Sequence, residues 1–244
     1  MKQYEAVIRT MVVSLFLFYR QMRHQNVFKI KDCKWETKTP YASIRRIVQD
    51  DRFFFKIKPG LWALKSYKAK LPPEILPPEE TPRAKQEEFD HTYYQGLLVE
   101  VGNLKGYETF VPNQDKNKKY LGRTLSEVAS IKEFYRFGYK NVVRAAQTID
   151  VSWFNNRRMP SRLFEVEHTT DFQGSFLKFV ELQDFNTRFI VVADKMREKE
   201  YAKKLSLDAF TPIVKRVSFM DYDKLSDWHA KTAEVASLEK GFRF

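Results

Sequence analysis

Three carboxylates stand close together in two short apolar segments of the second half of the chain. Asp150 lies in Ile149-Asp-Val-Ser-Trp-Phe154, and Glu165 and Glu167 lie in Leu163-Phe-Glu-Val-Glu-His168. Their hydrophobic neighbours make both segments strands, and positions i and i+2 of a strand share a face, so Glu165 and Glu167 point the same way. The polar stretch Asn155-Asn-Arg-Arg-Met-Pro160 between them reads as a turn, and a hairpin through it can bring Asp150 beside the two Glu residues. Converging carboxylates repel one another unless a divalent cation sits among them. Oxygen-only ligands suit a hard ion, Mg2+ or Mn2+. Such an ion can activate water and stabilise charge developing on a phosphodiester. The competing reading is a solvated polar face on an amphipathic hairpin. Asp150 argues against it, because its strand is apolar on both sides and a buried charge needs a partner.

Other chemistries fare worse. The single cysteine, Cys33, allows no internal disulfide and no CxxC pair for zinc. Four His and one Cys make a Cys-His nucleophile or a His-rich metal site a poor fit. Neither a GxxxxGK[ST] nor a GxGxxG stretch occurs, which removes the usual phosphate cradles of ATP- and NAD-driven chemistry. His168 falls on the strand face opposite Glu165 and Glu167 and reads as a packed residue. Lys178, on the helix opened by Asp171-Phe-Gln-Gly-Ser175, faces either the cleft or water. Lys195 and Arg197 follow a strand end, where they can touch a phosphate or simply solvent.

The carboxylates must be positioned by the elements around them. Glu88 to Leu104 reads as a helix ending near Gly106, and Tyr107 to Pro112 as a strand. Leu125 to Phe137 and Lys140 to Gln147 read as helices, followed by strands over Thr148 to Phe154 and Arg162 to His168. Ser175 to Asp184 is helical, Arg188 to Ala193 is a buried strand, Met196 to Leu205 a helix and Val214 to Phe219 a last strand. Helices flanking a mixed sheet make an α/β layer architecture.

Asp, then Glu-x-Glu on the next strand, within this element order over residues 89–219, resembles the PD-(D/E)xK nuclease superfamily, which includes most restriction endonucleases. The resemblance implies a restriction-endonuclease-like fold in which Asp150 and Glu165 ligate Mg2+ or Mn2+, with the Val166 carbonyl as a further ligand. Asp150, Glu165 and Glu167 would then be catalytic. Glu167 occupies the place of the family's Lys, a departure that some restriction enzymes of the superfamily share. The helix ahead of the sheet often lends that family one more polar residue, for which His91, Gln95 and Glu100 are the candidates.

The chain carries a formal charge of +12. Residues 1–71 hold ten Lys and six Arg against three Asp and two Glu, so eleven of those charges fall on the first third. A concentrated basic module points to a polyanionic partner, because Lys and Arg displace counterions from phosphates. Here Tyr4 to Met11 and Ser14 to His24 carry apolar residues at helical spacing. Thr39-Pro40 opens a third helix, Tyr41 to Gln49, with Thr39 as N-cap. Arg52 to Leu64 reads as strand, Pro-Gly turn, strand.

Helix, loop and hairpin in that order, with Lys38-Thr-Pro-Tyr-Ala-Ser-Ile-Arg45 and Pro59-Gly-Leu-Trp-Ala-Leu64, resemble the winged-helix modules fused to restriction endonucleases and chromatin proteins. Ala42, Ile44, Ile47 and Val48 can face the core. Tyr41, Ser43, Arg45, Arg46 and Gln49 are left for duplex DNA, together with Lys38, Thr39 and Lys58. Five of the ten prolines fall within Leu71-Pro-Pro-Glu-Ile-Leu-Pro-Pro-Glu-Glu-Thr-Pro82, a semi-rigid spacer. The expected layout is a winged-helix domain at 1–71, a linker at 72–88 and a nuclease-like domain at 89–244.

The longest apolar run, Met11 to Phe18, is too short to span a bilayer and lacks the layout of a secretion signal. A cytoplasmic protein is expected. Two readings stay open: a metal-dependent endonuclease of restriction type, acting as a homodimer if both strands are cut, or a non-catalytic DNA-binding regulator or specificity protein on a decayed nuclease fold.

Overall fold

A computed structural model describes residues 18–19, 43, 46–58, 61–71 and 83–239. The chain divides into two compact units, Met1–Phe89 with Ala233–Phe244, and Asp90–Thr232.

In the first unit the described residues form a small antiparallel sheet. Strands β1 (Phe18–Tyr19), β2 (Phe54–Lys58) and β3 (Leu61–Leu64) lie in the order β1-β3-β2. The β2–β3 hairpin pairs Phe54 with Leu64 and Lys56 with Trp62, and its register shifts between Lys56 and Lys58. Phe54, Leu61, Ala63, Ile47 and Val48 are buried, so the inner faces of hairpin and helix follow the apolar pattern of the sequence. Ser43 and residues 46–48 are helical, as read from Thr39-Pro40. The helix read over Tyr4 to Met11 and the proline stretch 72–82 lie outside the described residues. The helix read over Ser14 to His24 is corrected at its centre. Phe18 and Tyr19 are extended and pair with Trp62 and Leu61. Aromatic residues have high strand propensity, and the backbone of this pair adds a strand beside β3.

The second unit is built on a five-stranded mixed sheet, in keeping with the α/β class expected. It is entered through helix α1 (Arg83–Leu104), which begins ahead of the boundary expected at 89. Strands β4 (Glu108–Phe110), β7 (Val151–Phe154), β8 (Pro160–Glu167), β9 (Arg188–Ala193) and β10 (Val217–Asp221) stand in the order β10-β9-β8-β7-β4. β4, β7 and β8 pair antiparallel, whereas β8, β9 and β10 pair parallel. A minor hairpin, β5 (Lys119–Tyr120) and β6 (Arg123–Thr124), precedes the single turn α2 (Leu125–Val128). Helices α3 (Lys140–Ala146), α4 (Gln173–Val180), α5 (Glu198–Leu205) and α6 (Tyr222–Glu239) complete the set.

The two faces of β8 are covered differently. Leu163 packs with Phe172, Phe176, Phe179, Phe189, Val191, Tyr201 and Leu205 in a core beneath α4 and α5. Phe164 faces the other way, with its ring 4.6 Å from that of Trp153, which in turn lies 5.6 Å from Trp228 on α6. Helix α1 covers that same face and is buried all round from Thr92 to Val99, as a helix inside a layered core must be. It comes close enough that a Cβ on Gly96 would lie 2.1 Å from the Tyr120 ring, and one on Gly102 2.5 Å from Thr109. These two glycines are therefore a packing requirement.

Two readings of the sequence need correction in this unit. The helix expected over Leu125 to Phe137 stops after one capped turn, because Ala129 turns extended. Phe134 and Phe137 then pack individually against Phe110, Phe154 and Phe185, so aromatic anchoring overrides helical propensity. The long helix α6 was not read at all. Its start is marked by Asp221, whose Oδ1 accepts the Lys224 N–H at 2.7 Å.

Candidate active site

Asp150 sits immediately ahead of β7 with 6% of its surface exposed, and Glu165 (3%) and Glu167 (7%) lie in the last turn-free stretch of β8. Burial of all three follows from their immediate neighbours, Ile149 and Val151 beside Asp150 and Phe164 and Val166 beside the two Glu residues, which are core. The Asp150 Oδ2 accepts the Val166 N–H at 2.8 Å, which locks the head of β7 to β8 at the position between the two Glu residues. The strand alternation also holds: Glu165 and Glu167 both reach Ser175 on α4, the former at 3.2 Å and the latter through a short bond. Thr170 donates to Glu167 as well.

A lysine on α4 faces this cluster. Lys178 Nζ lies 2.9 and 2.8 Å from the two oxygens of Glu165 and 3.2 Å from the Thr148 carbonyl. Of the two readings open for Lys178, the structure selects the cleft. One ammonium does not balance three carboxylates. Burial, reinforced by Asp150, pushes the Glu165 carboxyl well above the usual carboxylate range despite Lys178. Burial likewise raises Glu167, against the hydrogen bonds from Ser175 and Thr170. Burial opposes the charge on Lys178 too, but Glu165, Asp150 and Glu167 outweigh it and hold the ammonium above its ordinary value. The cluster is short of positive charge, which is the condition a divalent cation relieves. Its donors are oxygen, so the residues present fit a hard ion.

From the other face of the sheet, α1 presents His91 and Gln95. His91 Nε2 lies 3.4 Å from Asp150 Oδ1, and Gln95 Nε2 donates to the Asp150 carbonyl at 3.3 Å and to Asp115 Oδ2 at 2.8 Å. Asp115, 3% exposed, pairs with Lys118 at 2.8 Å. It belongs to a loop between β4 and β5, and nothing in its sequence surroundings marked it. Burial disfavours a charged His91, but the hydrogen bond and charge of Asp150, with Asp115 behind it, raise its affinity for a proton overall. Glu100, the third candidate on α1, is turned elsewhere and meets Tyr120, Arg123 and His229 at 3.1, 3.1 and 2.9 Å.

The remaining expected residues are distributed as follows. His168 is packed as read, with Nδ1 2.7 Å from the Tyr222 hydroxyl. Arg197 is a clamp for the β8–α4 connection: it donates to the carbonyls of His168 and Thr170 at 2.9 and 2.7 Å and lies 4.2 Å above the Phe172 ring. Lys195 is exposed. In the basic unit Arg46 and Gln49 are exposed, Ser43 and Lys58 are half-buried, and Lys38, Thr39, Tyr41 and Arg45 lie outside the described residues. Among the described residues no helix is long and apolar enough to cross a membrane.

Comparison with known proteins gives one family. The model described as "Type II restriction enzyme NmeDI C-terminal domain" matches residues 70–242. A curated protein, "Type II restriction enzyme NmeDI" of Neisseria meningitidis serogroup C, is 27% identical over 122 residues, covering 46% of this chain and 35% of that enzyme. The chain thus spans about a third of the length of the curated relative it matches. No solved structure matches.

Proposed function

This chain belongs to the family of the type II restriction enzyme NmeDI C-terminal domain, and on that premise we propose that it is a metal-dependent DNA endonuclease of restriction type, hydrolysing phosphodiester bonds. The observation that carries the reading is the buried, charge-deficient cluster of Asp150, Glu165 and Glu167 at the junction of β7 and β8.

Asp150 and Glu165, with the Val166 carbonyl, are the groups to hold Mg2+ or Mn2+. Such an ion, when bound, supplies a more acidic water and positive charge beside the scissile phosphate. Glu167 is held by Ser175 and Thr170, and burial raises its affinity for a proton against those two bonds, which suits it to accept one from water. Lys178 supplies the fixed positive charge that the PD-(D/E)xK pattern would place at position 167. Ser175 bridges the two Glu side chains and fixes their spacing. The basic first unit is a winged helix in this reading. Arg46, Gln49, Ser43 and Lys58, with Lys38, Thr39, Tyr41 and Arg45, bind duplex DNA, chiefly through phosphates. One cluster per chain calls for a homodimer if both strands are cut, and the substrate implies a cytoplasmic location.

The test is cleavage of plasmid and genomic DNA with Mg2+, with Mn2+ and with EDTA, by the wild type and by Asp150→Ala. Metal-dependent cutting that Asp150→Ala loses while still binding DNA is the expected result. Cutting that survives in EDTA or in Asp150→Ala would remove the cluster from the reaction. A second reading, a DNA-binding protein without catalysis, is favoured by one observation: Glu167 stands where the superfamily carries Lys. It is established if nothing is cut and calorimetry with Mn2+ gives the same heat for wild type and Glu165→Ala.

A further inference from the structure

The end of the sheet that holds the acidic cluster carries a second feature, which the reaction leaves unused. β4 pairs antiparallel with β7, Phe110 standing opposite Ser152, and β7 pairs in turn with β8, Ser152 standing opposite Leu163. β4 therefore ends where β7 begins. The loop after Phe110 leaves the sheet one strand away from Asp150, and neighbouring strands lie about 4.8 Å apart. That loop is tied in place. Gln95 Nε2 donates to Asp115 Oδ2 at 2.8 Å and to the Asp150 carbonyl at 3.3 Å, and Lys118 pairs with Asp115 at 2.8 Å. Ser126 donates its N–H to the Lys116 carbonyl at 2.9 Å.

Between this loop and residues 126–132 lies a pocket of about 270 Å³. Phe110 and Val111, both buried, form its floor, and Asn113, Lys116, Asn117 and Lys132, all exposed, form its rim. Positive charge gathers here. Residues 113–132 hold four Lys and one Arg against Asp115 and Glu127, although residues 72–244 together carry only one net positive charge. Both acids are engaged already, Asp115 by Gln95 and Lys118, and Glu127 by the capping box it forms with Thr124.

An apolar floor, two carboxamides and two ammonium groups are what a single nucleotide requires: a surface for the face of its base, donors and acceptors for the edge, and cations for the flanking phosphates. The site is also concave. A reader of base edges in an intact duplex must protrude into a groove, whereas a pocket receives a base only once that base has left the stack. Its volume, just below the roughly 300–1,000 Å³ of drug-sized ligand sites, suits one nucleotide. We propose that this pocket takes one nucleotide of the DNA strand beside the acidic cluster, turned out of the duplex, with Asn113 and Asn117 reading its base and Lys116 and Lys132 holding its phosphates. The second unit then contributes specificity of its own, apart from any reading by the first. The pocket's claim on duplex DNA rests on the nuclease reading, whereas its occupation requires no cutting.

The experiment uses the full chain and duplexes that it selects from a random pool in EDTA, which holds off cutting. 2-Aminopurine replaces each position of the selected site in turn. Its fluorescence, quenched by stacking, should rise several-fold on binding at one position. The double variant Asn113→Ala/Asn117→Ala and the isosteric Asn113→Asp/Asn117→Asp should both remove that rise. Both should lower the base preference at that position by about tenfold while preferences elsewhere persist. Lys116→Ala/Lys132→Ala should weaken all duplexes evenly and reduce the salt dependence by about two phosphate contacts. All four residues are exposed, and thermal melts matching wild type show the fold intact. No responding position, a rise unchanged in both Asn variants, or no duplex selected at all would each overturn the pocket. Mg2+-dependent cleavage without a responding position would sink the pocket and leave the nuclease reading standing. A rise that the Asn variants lose, with no cleavage in Mg2+, would do the reverse.

Discussion

Replacing Lys178 with Met removes the ammonium that, among the described residues, faces Glu165, while keeping most of the aliphatic stem. Three contacts disappear: two to the Glu165 oxygens and one to the Thr148 carbonyl. Breaking a buried ion pair from one side costs about 3–5 kcal/mol. Lys178 is 32% exposed while Glu165 is 4%, so solvent screens part of the interaction. We expect a loss of about 2–3 kcal/mol at about pH 8, or a melting temperature lower by roughly 5–10 °C.

The cost must depend on pH. Glu165 has its folded-state affinity for protons raised by burial and Asp150, so its contribution to stability is fully present below the unfolded value of about 4.3 and is lost as pH rises through the folded value. Without Lys178 the folded value rises further, and that loss deepens. At about pH 5 the variant can bury a neutral carboxylic acid instead, and the cost should fall to about 1 kcal/mol. Mg2+ added at the higher pH should restore part of the difference. The assay is thermal unfolding of wild type, Lys178→Met and Lys178→Arg at both pH values, with Mg2+ or EDTA. Equal destabilisation at the two pH values, or none at the higher one, would refute the view of Glu165 as a charge held in place by Lys178.

Three further outcomes are expected. Gly96→Ala should destabilise by about 2 kcal/mol or more, since the new Cβ meets a Tyr120 ring that is itself 1% exposed; differential scanning calorimetry checks it. Arg197→Ala should cost about 2 kcal/mol and speed amide exchange across residues 168–172, because two carbonyls and the Phe172 ring lose their partner. Arg46→Ala should weaken duplex DNA binding evenly across sequences and reduce the salt dependence by about one phosphate contact, measured by fluorescence anisotropy against salt concentration.

The strand elements were legible because their signal is local. Apolar runs bounded by polar turns gave β7, β8 and β9 close to their observed limits, and period-2 alternation correctly put Glu165 and Glu167 on one face. Lys178 and Ser175 were visible as residues of a helix, but their approach to Glu165 depends on how that helix docks, which no local pattern states. Asp115 was beyond reach for the same reason, since it lies in a loop and meets α1 through a side chain twenty positions away. Helix α1 offered three polar candidates. Their partners alone distinguish His91 and Gln95, turned to Asp150, from Glu100, turned to Tyr120 and His229. The segment after Val128 fails because its aromatic side chains took positions dictated by distant partners, and the short strand at Phe18 because it pairs with β3, more than forty positions away.

The order β10-β9-β8-β7-β4 also has a kinetic meaning. Within this unit α1 and β4 are made before β7 and β8, but the carboxylates cannot be gathered then. Asp150 is tied to Gln95 across 55 positions and Glu165 to Lys178 across 13, and β8 is flanked on its parallel side only once Arg188–Ala193 exists. Closing such long loops costs entropy before any contact repays it, so these pairings form late. The acidic cluster is therefore assembled only after β9 has been made, and a chain truncated ahead of Arg188 carries its residues without its geometry.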